Sequence, residues 1–412
     1  MLLNLPQETN DKLTLSKLLL IFVFILLPIF DAINGYLVVN GVLSEAGIAS
    51  PSQLGRLLVS ILLLYLVFEK KLGVVPILLL CYLLIIEVVS GLIHQTPYGF
   101  TYGIVSAYKI GYLIFLTIVL LHYSKTIKGM MQLGQFVKFN LIIIASLLYF
   151  STLTGIGNST YGFGFGTKSF FASGNGLGLY LGVSTLFLLG LKRYELVSIN
   201  NKTLLFIIVS IALIGSKTAL VLCLVNLIVL MLSSKYKVLF MALITILAFT
   251  ILPTIVEVLS TVFDVILKRL GNSDNIIMYL ASGRADYVSE AFETFFKSDP
   301  NSLRLVFGMG AFTSFQSPEL VTKFDTLETD LFDLLFMYGF ISIVFYLSVI
   351  LFTFYYLRNY KILFVGMLLL SLHSIIAGHV LFNGMSSVCF ALFICVANYL
   401  NKNKRLYDKT FA

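Results

Sequence analysis

The chain has 412 residues, 58% of them hydrophobic and 12% charged, with a mean hydropathy of +0.97. This composition excludes a water-soluble globular protein. The formal charge of +8 lies in short segments between apolar runs, so it does not indicate a basic nucleic-acid-binding domain.

Apolar runs of about 20 residues, the length that crosses roughly 30 Å of hydrocarbon, recur from end to end. The expected fold is all-α, a single polytopic membrane domain over residues 1–412. About twelve spans are predicted, near 16–32, 54–68, 72–93, 101–121, 136–153, 175–190, 203–215, 217–233, 237–256, 331–357, 362–378 and 385–400. No internal repeat is visible. With the N-terminus in the cytoplasm, most of the 28 Lys and Arg fall on the inner side. The short outer loops and helix ends carry Arg56, Lys168 and Lys217. This asymmetry follows the positive-inside rule, so both termini are expected inside. Residues 257–330 then form a long, partly helical extracytoplasmic loop. The first apolar run follows a basic start, lacks a small-residue cleavage site and precedes many further spans, which marks an anchor rather than a removed signal peptide. Cys81, Cys223, Cys389 and Cys395 all fall inside apolar runs, where they act as small hydrophobes and not as disulfide or metal partners.

Ionisable groups inside a bilayer are costly and mark function. Asp31 is expected at the outer end of span one. Glu87 and Lys109 fall at similar depth on consecutive antiparallel helices, roughly 9 to 12 Å below the surface at about 1.5 Å per residue. That spacing allows an ion pair; the alternative is that each side chain snorkels to the surface.

The segment GIGNSTYGFGFGTKSFFASGNGLG, Gly155 to Gly178, holds eight glycines among aromatics. Such a stretch resists helix formation and reads as an outer loop leading into span six. Lys168 is its one full charge, and Asn175 opens the span. Irregular backbone so close to a bilayer is tolerated where it lines a cavity. Gly215-Ser216-Lys217-Thr218 is a short outer turn at the start of span eight, where the helix dipole favours anions. Read alone, a lysine in such a turn is either a solvated charge or an anion contact.

Residues 257–333 hold twelve of the 20 acidic residues and six cations, among them Arg284 and Arg304. Within them, Ala285 to Ser298 places Val288, Ala291, Phe292, Phe295 and Phe296 on one helical stripe. Asp286, Glu290, Glu293 and Lys297 take the other, and Asp299-Pro300 ends the helix. This predicts an amphipathic helix that lies on the outer leaflet or caps the bundle. Gly308 and Gly310, in RLVFGMGAF, mark a turn. The loop re-enters the apolar region at LETDLFDLLFMYG, Leu327 to Gly339, where Glu328, Asp330 and Asp333 stand at the mouth of a span. His373 and His379 lie six residues apart and do not share a helix face as metal ligands would. No HxxxH, paired CxxC, Walker or dinucleotide motif is present, so neither a metal nor a nucleotide cofactor is expected.

The candidate groups collect at one level. Glu328 and Asp330 are the acid or base candidates, and Arg284, Lys217, Lys168, Arg304 and Arg56 the cations. Asn175, Asp333 and His379 are candidate substrate contacts beside them. This set suits transfer of a group from an anionic leaving group to a hydroxyl. A carboxylate accepts the hydroxyl proton, and cations stabilise charge on a departing phosphate. In a bundle open to lipid, the natural phosphate donor is lipid-linked.

In four places these residues resemble the bacterial O-antigen, capsule and exopolysaccharide polymerases, and more distantly the O-antigen ligase. FFASGNGLG (170–178) looks like that family's aromatic segment ending in Asn before a membrane helix, and GSKTAL (215–220) like its Gly-Ser-Arg turn. SGRADYV (282–288) followed by LVFGMG looks like the Arg of its large external loop and the glycine pair after it. ETDLFDLLFMYG (328–339) looks like its helix entrance, with Glu328 at the position of the ligase His. The resemblance implies a glycosyltransferase-C-like membrane fold and metal-independent glycosyl transfer at the plasma membrane. Donor and acceptor would both be oligosaccharides on polyprenyl diphosphate, with membrane lipids and a chain-length regulator as further partners and no nucleic acid. Carried over, Arg284 contacts the diphosphate, Lys217 assists it, and Glu328 takes the place of the base. Two positions depart from the pattern: Lys217 lacks the bidentate fork of Arg, and Glu328 in place of His argues against the ligase branch. The alternatives are a flippase or transporter of lipid-linked oligosaccharide, which would place its polar site near the bilayer midplane, and a ligase-like glycan transferase.

Overall fold

The computed structural model describes residues 15–43, 50–94, 97–161, 166–233, 288–289, 291–293, 302–311, 327, 329–376 and 378–403. Its helices are α1 Leu15–Val39, α2 Pro51–Glu69, α3 Val75–His94, α4 Pro97–Tyr123, α5 Ile127–Thr154, α6 Gly174–Arg193, α7 Asn201–Leu213, α8 Lys217–Leu232, α9 Ser302–Phe307, α10 Asp330–Leu357, α11 Lys361–Ile376 and α12 Val388–Lys402. A two-stranded antiparallel hairpin, β1 Asn158–Ser159 and β2 Thr167–Ser169, sits between α5 and α6. Seven helices are long and apolar enough to cross a membrane: α1, α2, Val75–Ile93 of α3, Gly99–Tyr123 of α4, α5, α6 and α10. The apolar helices α7, α8, α11 and α12 are shorter. At 13 residues, α7 is about 20 Å long, less than the roughly 30 Å hydrocarbon core. The architecture is all-α and fits a polytopic membrane protein. Each predicted apolar run is helical except the ninth, near 237–256, which lies outside the described residues.

The helix starts follow local chemistry. Ser50, Thr126, Ser173, Asn200 and Ser216 each accept a backbone N–H from the first turn of the helix they precede, as N-cap side chains do. Gly155, in a left-handed conformation, closes α5, a common C-terminal cap. α6 is the central helix, buried without interruption from Leu177 to Leu191. It packs on α5, α7, α8, α11 and α12. Its first turns belong to the glycine-rich segment expected to resist helix formation. They are helical because small residues let helices approach closely: a Cβ at Gly178 would lie 2.8 Å from the Ala219 Cβ.

α1 runs eight residues past Asp31, so Asp31 lies within the helix and not at its end as expected. The carboxylate is tolerated there because Arg56 of α2 donates to it from Nη2, at 2.8 and 3.0 Å. Further down, α1 contains a π-helical turn at Phe22–Leu26. The buried Asn140 amide of α5 donates to Phe24 O at 2.6 Å and accepts Tyr180 OH of α6 at 2.7 Å. One paired polar side chain thus ties three helices together, as buried polar groups require.

α10 is broken at Gly339, whose φ of 72° and ψ of −177° interrupt the helix. The break leaves carbonyls free to accept from outside the helix. Phe336 O and Met337 O take the Met309 and Gly310 N–H groups at 3.0 and 2.9 Å, and Tyr82 OH donates to Tyr338 O at 2.7 Å. Residues 308–311, part of the long loop, are therefore plugged into the kink. Glu87 of α3, 2% exposed, secures the plug by accepting the Ala311 N–H at 2.9 Å. The ion pair that sequence depth allowed between Glu87 and Lys109 does not form among the described residues: equal depth does not fix which way two helices face. The edges of the Phe332 and Phe336 rings meet Phe292 at 5.8 and 5.0 Å between centroids, and Ala291 is 6% exposed. Residues 291–293 of the predicted amphipathic segment thus pack against the start of α10. Phe295 and Phe296 lie outside the described residues.

Candidate functional site

α10 opens the region singled out by the sequence. Thr329 is its N-cap, with extended backbone, and Leu327 N–H donates to Asp333 Oδ1 at 2.8 Å. Asp330 is fully buried. Its carboxylate accepts the Val380 N–H at 3.0 Å, the Leu381 N–H at 3.1 Å and the Ser374 hydroxyl, and Ser374 in turn shares a hydrogen bond of 2.6 Å with Tyr346 OH. Taken up by two backbone amides and a hydroxyl, the Asp330 carboxylate holds the loop in place. The geometry gives Asp330 and Asp333 anchoring tasks. The expected role of base then falls on Glu328 alone, which lies outside the described residues together with Arg284 and the side chain of Arg304.

The loop that Asp330 holds, 378–387, forms one wall of a polar cavity of about 240 Å³. Asp31 and Asn34 of α1 and Ser52, Gln53 and Arg56 at the start of α2 form a second wall, and Lys109 of α4 projects into it. The loop Phe171–Ser173 with Leu177 of α6 closes the remaining side. His379 lines the cavity and stacks on Phe382, with ring centroids 5.6 Å apart. Lys168 donates to Ala172 O at 2.8 Å and so braces that wall from behind. Asn175 and Lys217 are exposed on the first turns of α6 and α8. Of the predicted residues, His379 lies in the cavity, Lys168 and Asp330 support its walls, and Asn175 and Lys217 stand on its neighbouring helices. Among the described residues, no three His, Cys, Asp or Glu side chains gather where a metal ion could sit.

The sequence reading noticed Asp31, Arg56 and Lys109 one at a time and did not join them. The signal that would have joined them is three charges in three separate apolar runs at a similar distance from the same face.

The described parts of the segments that carry the family resemblance are linked; residues 282–287, with Arg284, and Glu328 lie outside the described residues. α6 meets α8 where Gly178 lies against Ala219. Phe171–Ser173 and loop 379–385 face the same cavity, and that loop is bonded to Asp330 at the start of α10. α10 in turn accepts Met309 and Gly310 at its kink. Residues 170–178, 215–220, 305–310 and 329–339 are thereby links of one connected array. No protein-family model matches the chain, and no curated protein matches it.

Proposed function

We propose that the protein is a polysaccharide polymerase that joins oligosaccharide repeat units carried on polyprenyl diphosphate, at the outer face of a bacterial plasma membrane. The observation that carries this reading is the connected array just described. Stretches separated by as much as 50 residues or more of chain are linked around a polar cavity, and they include the described parts of the stretches that resemble such polymerases. In this reading about twelve spans cross the bilayer, both termini are cytoplasmic, and the loop 257–330 lies outside.

Glu328 accepts the proton of the acceptor sugar hydroxyl as that oxygen attacks the anomeric carbon of the donor; the bond from that carbon to the diphosphate oxygen breaks, and the polyprenyl diphosphate leaves. Arg284, Arg304 and Lys217 stabilise the departing charge. Asp330 and Asp333 fix the mouth of α10, directly after Glu328 in the chain. The chemistry needs no cofactor. A cell carrying Glu328→Gln tests it: the variant reaches the membrane at wild-type abundance, polymer is lost, and single lipid-linked repeat units accumulate. Normal polymer in that cell would remove Glu328 from the mechanism.

A further inference from the structure

We propose that the cavity bounded by Arg56, Lys109 and the starts of α2 and α6 is a binding site for a phosphoryl group, separate from Arg284 and Lys217. The charge in the cavity carries the inference. Arg56 is 8% exposed, and although its Nη2 holds Asp31, its Nε has no hydrogen-bond partner. Gly384 lies directly over that guanidinium: a Cβ there would fall 2.0 Å from Nε. The glycine leaves the guanidinium room that any side chain would fill. Lys109 lines the same cavity and makes no hydrogen bond or salt bridge with any described residue. Asp31, the one carboxylate lining the cavity, is taken up by Arg56 and by Ser52 Oγ at 2.5 Å.

Two cations against one carboxylate leave an uncompensated positive charge beside a largely buried guanidinium, which favours a ligand of the opposite sign. Two helix N-termini add to the attraction. The N-cap serines of α2 and α6, Ser50 and Ser173, both line the cavity, and the first turn of each helix favours an anion. Size narrows the ligand. About 240 Å³ is the share of roughly eight waters at about 30 Å³ each. That suits a phosphate or diphosphate with its remaining waters and is too small for an oligosaccharide. A planar carboxylate would satisfy fewer of the donors than a tetrahedral oxyanion. The proposed function bears only on where the phosphoryl group comes from: a polyprenyl diphosphate head group in that reading, a free phosphate otherwise.

The test uses the full-length protein, purified and placed in neutral-lipid nanodiscs. Binding is measured for polyprenyl diphosphate, polyprenyl monophosphate, neutral polyprenol and inorganic diphosphate. The site predicts that wild-type protein binds the diphosphate lipid at least tenfold more tightly than the polyprenol. Lys109→Gln should weaken the anionic ligand about tenfold and leave the polyprenol unchanged, while Lys109→Arg keeps wild-type binding within a few-fold. Inorganic diphosphate binding with the same dependence on Lys109 assigns a free anion, and binding of the lipid forms alone assigns the head group. Equal affinity of wild-type protein for polyprenol and its diphosphate would overturn the site without any variant, as would unchanged anion binding in folded Lys109→Gln. Anion binding without polymer formation would sink the polymerase reading and leave this site standing; polymer formation with Lys109-independent binding would do the reverse.

Discussion

The carboxylate of Asp330 and the backbone amide of Leu381, 51 residues apart in the chain, are joined by a hydrogen bond of 3.1 Å. That bond, with those from Val380 and Ser374, welds the start of α10 to the loop that walls the polar cavity.

Asp330→Ala leaves two backbone amides and one hydroxyl without an acceptor. At about 1 kcal/mol or more for each buried unsatisfied group, the loss is on the order of 3 kcal/mol. Asp330→Asn keeps one acceptor oxygen and loses less. Thermal unfolding in detergent should therefore rank wild type above Asn and Asn above Ala. Equal midpoints for all three would show that the clamp contributes nothing. If Asp330 only positions, Asp330→Asn also retains part of the polymerising activity that Glu328→Gln abolishes.

Glu87 plays the same part for the external loop, through the Ala311 N–H at 2.9 Å. Glu87→Gln keeps an oxygen acceptor and should leave the plug seated. Glu87→Ala removes it, and amide hydrogen exchange in 308–311 should speed up by about tenfold or more, the equivalent of roughly 1.4 kcal/mol. Unchanged exchange in Glu87→Ala would mean that the kink of α10 holds the loop unaided.

That kink depends on Gly339, at φ +72°. A Cβ at this position would meet Val306 O at 2.2 Å. Gly339→Ala should cost about 1 to 3 kcal/mol in backbone strain alone and displace Val306 and Gly308 besides. Limited proteolysis should then cut near 302–311 in the variant and not in the wild type. A wild-type cleavage pattern would contradict the interlock.

Asn140 tests the bundle itself. Interhelical hydrogen bonds in membranes are worth about 0.6 kcal/mol on average and up to about 1.7 kcal/mol. Asn140→Leu, which removes two of them, should destabilise by roughly 1 to 3 kcal/mol and still fold. Tyr180→Phe should cost about half as much. A neutral Asn140→Leu would show that the π turn of α1 needs no partner.

Much of the fold could be read in the sequence because apolar run length is a local property. Helix positions follow the runs, and the N-cap serines stand where the helices begin. What could not be read is mostly azimuth and long-range pairing. Glu87 and Lys109 share a depth, yet Glu87 turns to the Ala311 amide and Lys109 to the polar cavity. Asp31 looked like the end of a span because its neutralising Arg56 lies on another helix. An acid at a helix start is compatible with a base or a cap, and Asp330 was resolved by amides 50 and 51 residues downstream. Gly308, Gly310 and Gly339 could be recognised singly as turn or motif residues, but their interlock could not. Lys168, Asn175 and Lys217 stood out by type and loop, and His379 and Arg56, of the predicted residues, line the cavity.

The most direct measurement is reaction of the purified full-length protein with a synthetic repeat unit on polyprenyl diphosphate, with and without a metal chelator, scored by the size of the products. Wild-type protein should give a ladder of oligomers, unchanged by chelator, and Glu328→Gln none. A repeat unit left unreacted by folded wild-type protein, or a ladder that survives Glu328→Gln, would contradict the polymerase reading.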